Sequence, residues 1–171
     1  MNPSHPPFVA RARHLPLLFA ALFAAAAPLA HAADTTPAAP RAADPLAPAR
    51  ALIAAGKWRD AIEALQQVNA TGSADWNNLM GYSHRKARTP DLAAAERYYD
   101  AALKIDPRHR GALEYSGELY LMLGNLPKAE ERLAVLDKAC TFGCDEYRDL
   151  KTTIAEYKAN GGKYVPSAWK P

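Results

Sequence analysis

At 171 residues the chain can form one ordinary domain but not two large ones. Apolar residues make up 49%, enough for a core, and the abundance of Ala suits closely packed helices better than a sheet. The formal charge of +3 falls to +1 (19 basic against 18 acidic side chains) once Arg11 and Arg13 of the leader are set aside, and the near-neutral remainder excludes the clustered basic stripe that nucleic-acid binding needs.

Residues 1–32 read as a secretory signal peptide. Arg11, Arg13 and His14 supply its positive end, and Leu15 to Leu29 is almost wholly apolar. Ala30-His31-Ala32 fits the small-x-small rule for signal peptidase, leaving Ala33 as the new N-terminus. The apolar run carries Pro16 and Pro28 and is short of the ~20 residues that a membrane-spanning helix needs. An uncleaved anchor is the alternative, and membrane contact would then run through this segment alone. The expected destination is the periplasm of a Gram-negative bacterium, or secretion. Residues 33–47 follow as a linker, with Pro37, Pro40 and Pro45 among Ala and Thr and no apolar periodicity to offset ordering entropy.

From Pro48 the pattern is helical and repeats. Ala61, Ala95 and Ala129 stand 34 residues apart. The same interval links Trp58, Leu92 and Leu126, then Leu65, Tyr99 and Leu133, and also Gly56, Pro90 and Gly124. Each column has a physical reason. The Gly or Pro ends one helix and turns the chain. The large apolar residue opens the buried face of the next helix, the Ala admits a close neighbour, and the residue one turn later fills the gap beside it.

On these residues the chain resembles the tetratricopeptide repeat family, whose pattern runs W-x2-L-G-x2-Y, then A-x3-F, then P. The third copy reads Leu113, Ser116, Gly117, Tyr120, Gly124, Leu126, Ala129 and Leu133. The second reads Asn77, Met80, Gly81, His84, Pro90, Leu92, Ala95, Tyr99 and Pro107, with two extra residues in its Arg88-Thr89-Pro90 turn. The first matches only in its second half, through Gly56, Trp58, Ala61, Ile62 and Leu65. The resemblance implies an all-α fold: an α-solenoid of about three helix pairs over 48–139, the first incomplete. In such repeats the first helix of each pair lines a concave surface. That places Asn78, Tyr82 and Arg85, then Glu114, Glu118 and Leu121, on a partner-binding groove. Peptide-binding members of the family clamp a C-terminal carboxylate there with Lys, Asn and Arg. Glu114 and Glu118 do not reproduce that clamp, and the mixed groove suits a polar or charged peptide segment.

Beyond the third copy comes Cys140-Thr-Phe-Gly-Cys144. Two nearby thiols in an exported chain are expected to pair. The disulfide would pin the last repeat to a capping helix over about 145–160, whose stripe is Tyr147, Leu150, Ile154 and Tyr157. The alternative is a small thiol-redox or metal-handling protein using these cysteines. Asp145 and Glu146 follow directly and oppose thiolate formation. His84 and His109 lie in different elements without ligand spacing, so no metal site is expected, and His84 stands where the family has a packing Tyr. Arg108-His109-Arg110 reads as a solvated turn. Glu130-Glu131 and Asp145-Glu146 point about 100° apart on a helix and make no acid–base couple. No catalytic residue and no cofactor is expected. The leading function is a non-catalytic adaptor for a protein or peptide partner. Self-association through Trp169 in the 161–171 tail is a third reading.

Overall fold

The computed structural model describes residues 43–166. The expected signal peptide, most of the expected linker and Trp169 lie outside these residues. Among the described residues there are seven helices and no strand: α1 (Ala47–Ala54), α2 (Trp58–Val68), α3 (Ala74–Lys86), α4 (Leu92–Ile105), α5 (Arg110–Met122), α6 (Leu126–Ala139) and α7 (Asp145–Ala159).

The recurring columns explain where these helices begin. α2, α4 and α6 open on Trp58, Leu92 and Leu126. Gly56 and Gly124 take positive φ values of 69° and 73° just before two of them, a conformation that costs a Gly least. Local side chains satisfy the free N–H groups at the helix starts. Ser73 accepts from the Trp76 amide, Asp91 from Ala94 and Asn125 from Lys128. α1 carries Pro48 in its first turn, where no amide is needed, and is short. Leu46, which the composition places in the linker, is buried beside Ala49, Leu65 and Trp76.

Ala61, Ala95 and Ala129 are each 0% exposed. They are fully enclosed, so a larger side chain would displace its neighbours. Two glycines also admit close neighbours, Gly81 of α3 toward α4 and Gly117 of α5 toward α7. A Cβ on Gly81 would stand 2.8 Å from the Tyr99 ring, and one on Gly117 would stand 2.6 Å from Leu150. α1 packs on α2, α3 on α4 and α5 on α6, as antiparallel neighbours joined by short turns must.

The odd-numbered helices also touch one another: α1 meets α3, α3 meets α5, and α5 meets α7. The backbones of α2, α4 and α6 approach only those of their neighbours in sequence. The odd helices therefore form the inner layer and the even helices the outer one, as in a curved α-solenoid. α7 occupies the inner place of a fourth pair. Its Leu150, Ile154 and Tyr157 complete a core with Leu113, Leu121, Ala129 and Leu136. The outer helices are joined by long side chains, Lys128 to Glu96 and Arg132 to Asp100. These are exposed pairs and add little stability.

Candidate functional site

The inner layer places the expected groove residues as follows. Asn78, Tyr82 and Arg85 recur at one helical spacing on α3, and Glu114, Glu118 and Leu121 recur at the same spacing on α5. Arg85 and Glu118 come together: Arg85 Nη1 donates to Glu118 Oε2 at 2.6 Å, and their side chains are 2% and 10% exposed. Arg85 Nε also donates to the Tyr99 hydroxyl at 3.4 Å. The guanidinium lies over two rings, 5.4 Å from the centre of Tyr82 and 5.6 Å from that of Tyr115. The same two rings tilt against each other at 4.6 Å, and Tyr82 meets Trp58 edge-on at 5.8 Å. Leu121 belongs to the core shared by α5, α6 and α7.

Glu114 and Asn78 are brought to the same face without being paired. Both are 7% exposed. Among the described residues, no donor reaches the buried Asn78 Oδ1. Burial pushes the Glu114 carboxyl up to about 8, the charges of Glu118, Asp149 and Glu146 push the same way, and Arg85 opposes them.

The C-terminal segment returns to this face. Gly161 and Gly162 both take positive φ, 65° and 77°, which turns the chain after α7. Tyr164 then packs against the α5–α7 core and donates its hydroxyl to Glu118 Oε2 at 3.4 Å. The tail's sequence carries no pattern that announces this contact, although the paired glycines signal the reversal.

At the other end of α5, His109 does more than solvate a turn. Its Nδ1 accepts from the Ala112 amide at 3.1 Å and so caps the helix, while its Nε2 reaches Asp75 on α3 at 2.9 Å. The hydrogen bond from His109 holds the Asp75 carboxyl below its ordinary range. Arg108 donates to the Lys138 carbonyl at 2.9 Å. His84 packs as expected, stacked on Tyr98 with ring centres 5.4 Å apart, and burial lowers its pKa.

Cys140 and Cys144 form a disulfide, with Cα atoms 5.6 Å apart, between the end of α6 and the start of α7. Among the described residues, no group of three or more His, Cys, Asp or Glu is placed to hold a metal ion, and no helix is long and apolar enough to cross a membrane. A hollow of about 660 Å³ opens between α2 and α4. Two of its polar walls are already committed: Trp76 Nε1 donates to the Leu65 carbonyl, and Asn77 Nδ2 donates to the carbonyls of Thr71 and Ser73.

Stacked helical hairpins with a polar, aromatic inner face define a helical-repeat scaffold. Residues 91–154, from just before α4 into α7, match the family model of the tetratricopeptide repeat. No curated protein and no solved structure matches the chain.

Proposed function

We propose that this chain is a non-catalytic adaptor of the bacterial cell envelope that holds an extended segment of a partner protein against α3, α5 and α7. Tyr164 carries the reading. It comes from a non-helical segment, packs on the inner face and donates to Glu118. The face therefore accommodates a side chain presented from a non-helical segment. The Arg85–Glu118 pair is buried and mutually satisfied, so it serves as the rigid floor of the groove. Contact with a partner falls to the groups beside it, Tyr82 and Tyr115 among them. The N-terminal 32 residues would deliver the chain to the periplasm, and cleavage there would leave Ala33 first.

The test is site-specific photocrosslinking in the native compartment. A benzoylphenylalanine at position 82, on the inner face, should trap a recurrent partner. The same group at position 131, on the outer helix α6, should not. Equal capture at both positions, or none at position 82, defeats the reading. N-terminal sequencing of the exported protein checks the cleavage site independently. Nothing beyond the pairing itself favours a thiol-redox role for Cys140 and Cys144; thiol titration of the exported protein should find them oxidised and slow to reduce.

A further inference from the structure

The inner face carries more hydrogen-bond acceptors than it satisfies, and they lie together. Asn78 lies over α5 at Gly111, where a Cβ would stand 3.1 Å from Asn78 Nδ2. Glu114 is one helical turn further along the same face of α5. Both residues are buried. Asn78 Oδ1 is enclosed and has no donor, while the Glu114 carboxylate has neither an ion pair nor a hydrogen bond among the described residues and keeps its oxygens at the edge of the seam. Buried polar groups almost always have partners, because leaving one unmade forfeits its hydration without return. The neighbouring charges sharpen the imbalance. Glu118, Asp149 and Glu146 all act on Glu114. Arg85 is already bound to Glu118, and Arg110 pairs with Glu146.

From this we infer that the seam between α3 and α5 is a recognition notch for a side-chain cation, a Lys or Arg of the partner segment, with Glu114 as its counter-ion and Asn78 Oδ1 as a second acceptor. The inference rests on the reading of this face as a peptide groove. Ammonium and guanidinium groups donate several hydrogen bonds and accept none, which is what an unpaired carboxylate beside an unsatisfied amide oxygen requires. An acidic or purely apolar segment would leave both acceptors unmet. Binding a cation here also requires Glu114 to give up its proton. With the carboxyl pushed up to about 8, affinity should rise by up to about tenfold per pH unit below that value and level off above it.

The test is an NMR titration of the full chain with two end-blocked hexapeptides, Gly-Ser-Lys-Ser-Gly-Ser and the same peptide with norleucine for lysine. The lysine peptide should perturb the Asn78 side-chain amide and bind at least tenfold more tightly than the norleucine peptide. It should also bind more tightly at pH 8 than at pH 6. Glu114→Gln, close in shape and always neutral, should lose both the preference and the pH dependence. Asn78→Ser should weaken the lysine peptide while keeping the pH dependence. Equal binding of both peptides, or a pH dependence that survives in Glu114→Gln, overturns the cation notch but leaves the groove intact. If neither peptide perturbs any resonance of α3 or α5, the cation notch and the groove reading fall together.

Discussion

The Arg85–Glu118 pair is the contact on which the inner face most depends. Both charges are out of water and 2.6 Å apart, and Arg85 is further held by Tyr99. Removing one partner strands the other, a loss of about 3–5 kcal/mol, whereas replacing both by apolar groups of similar size is often nearly neutral. Glu118→Leu alone should therefore lower the urea midpoint sharply, and the double variant Arg85→Met, Glu118→Leu should recover most of that loss. A double variant as unstable as the single one would mean that the pair contributes more than mutual neutralisation. The glycines make a second case. Gly81 faces a rigid ring and Gly117 the ends of a Leu side chain, both closer than a Cβ tolerates. Ala at either site should destabilise by about 1–3 kcal/mol, and Gly81→Ala should cost more because the Tyr99 ring cannot fold away. Thermal unfolding of the two variants ranks them directly.

Among the elements, the starts of α2, α4 and α6 were legible from the 34-residue interval, because a breaker, a large apolar residue and an Ala must recur wherever one hairpin repeats. The inner face was legible only in part. Family geometry named Asn78, Tyr82, Arg85, Glu114, Glu118 and Leu121, but that Leu121 turns into the core and which of the others would meet was hidden. Arg85 and Glu118 are 33 residues apart, and the extra residues in the Arg88-Thr89-Pro90 turn set equivalent residues of α3 and α5, such as Gly81 and Gly117, 36 rather than 34 apart. The cap and bridge made by His109 were hidden for another reason: a His between two Arg looks like a solvated turn until Asp75 is brought alongside. The link between α6 and α7 was readable, since Cys140 and Cys144 enclose a tight turn. That loop is short, so in the chain-entropy model its closure is worth only about 2 kcal/mol. Replacing both cysteines by Ser should lower stability by roughly that amount and speed amide exchange in α7, with the helix content kept. Loss of all helical signal would show instead that α7 nucleates the repeats.

For the molecule as a whole, Glu114 sets an unusual direction of pH dependence. Paired surface carboxylates make a protein more stable as pH rises; Glu114 works the other way. Its carboxyl titrates near 4.5 when unfolded and is pushed up to about 8 when folded, mainly by burial and then by Glu118, Asp149 and Glu146. Between those values the folded chain holds a proton that the unfolded chain has released, so this group's contribution is fully present below 4.5 and is lost as pH rises through about 8. Other groups shift too, Asp75 downward and Asp100 upward, so the total curve mixes several signs. The comparison with Glu114→Gln isolates the one effect, since Gln resembles the protonated acid at every pH. The two chains should unfold at similar urea concentrations at pH 4. The variant should pull ahead through neutrality and be the more stable by a few kcal/mol at pH 9, the order of magnitude linkage allows. Unfolding curves that run parallel from pH 4 to 9 would mean that Glu114 reaches solvent in the folded chain, and the notch inferred at the α3–α5 seam would then lose the buried carboxyl on which it is built.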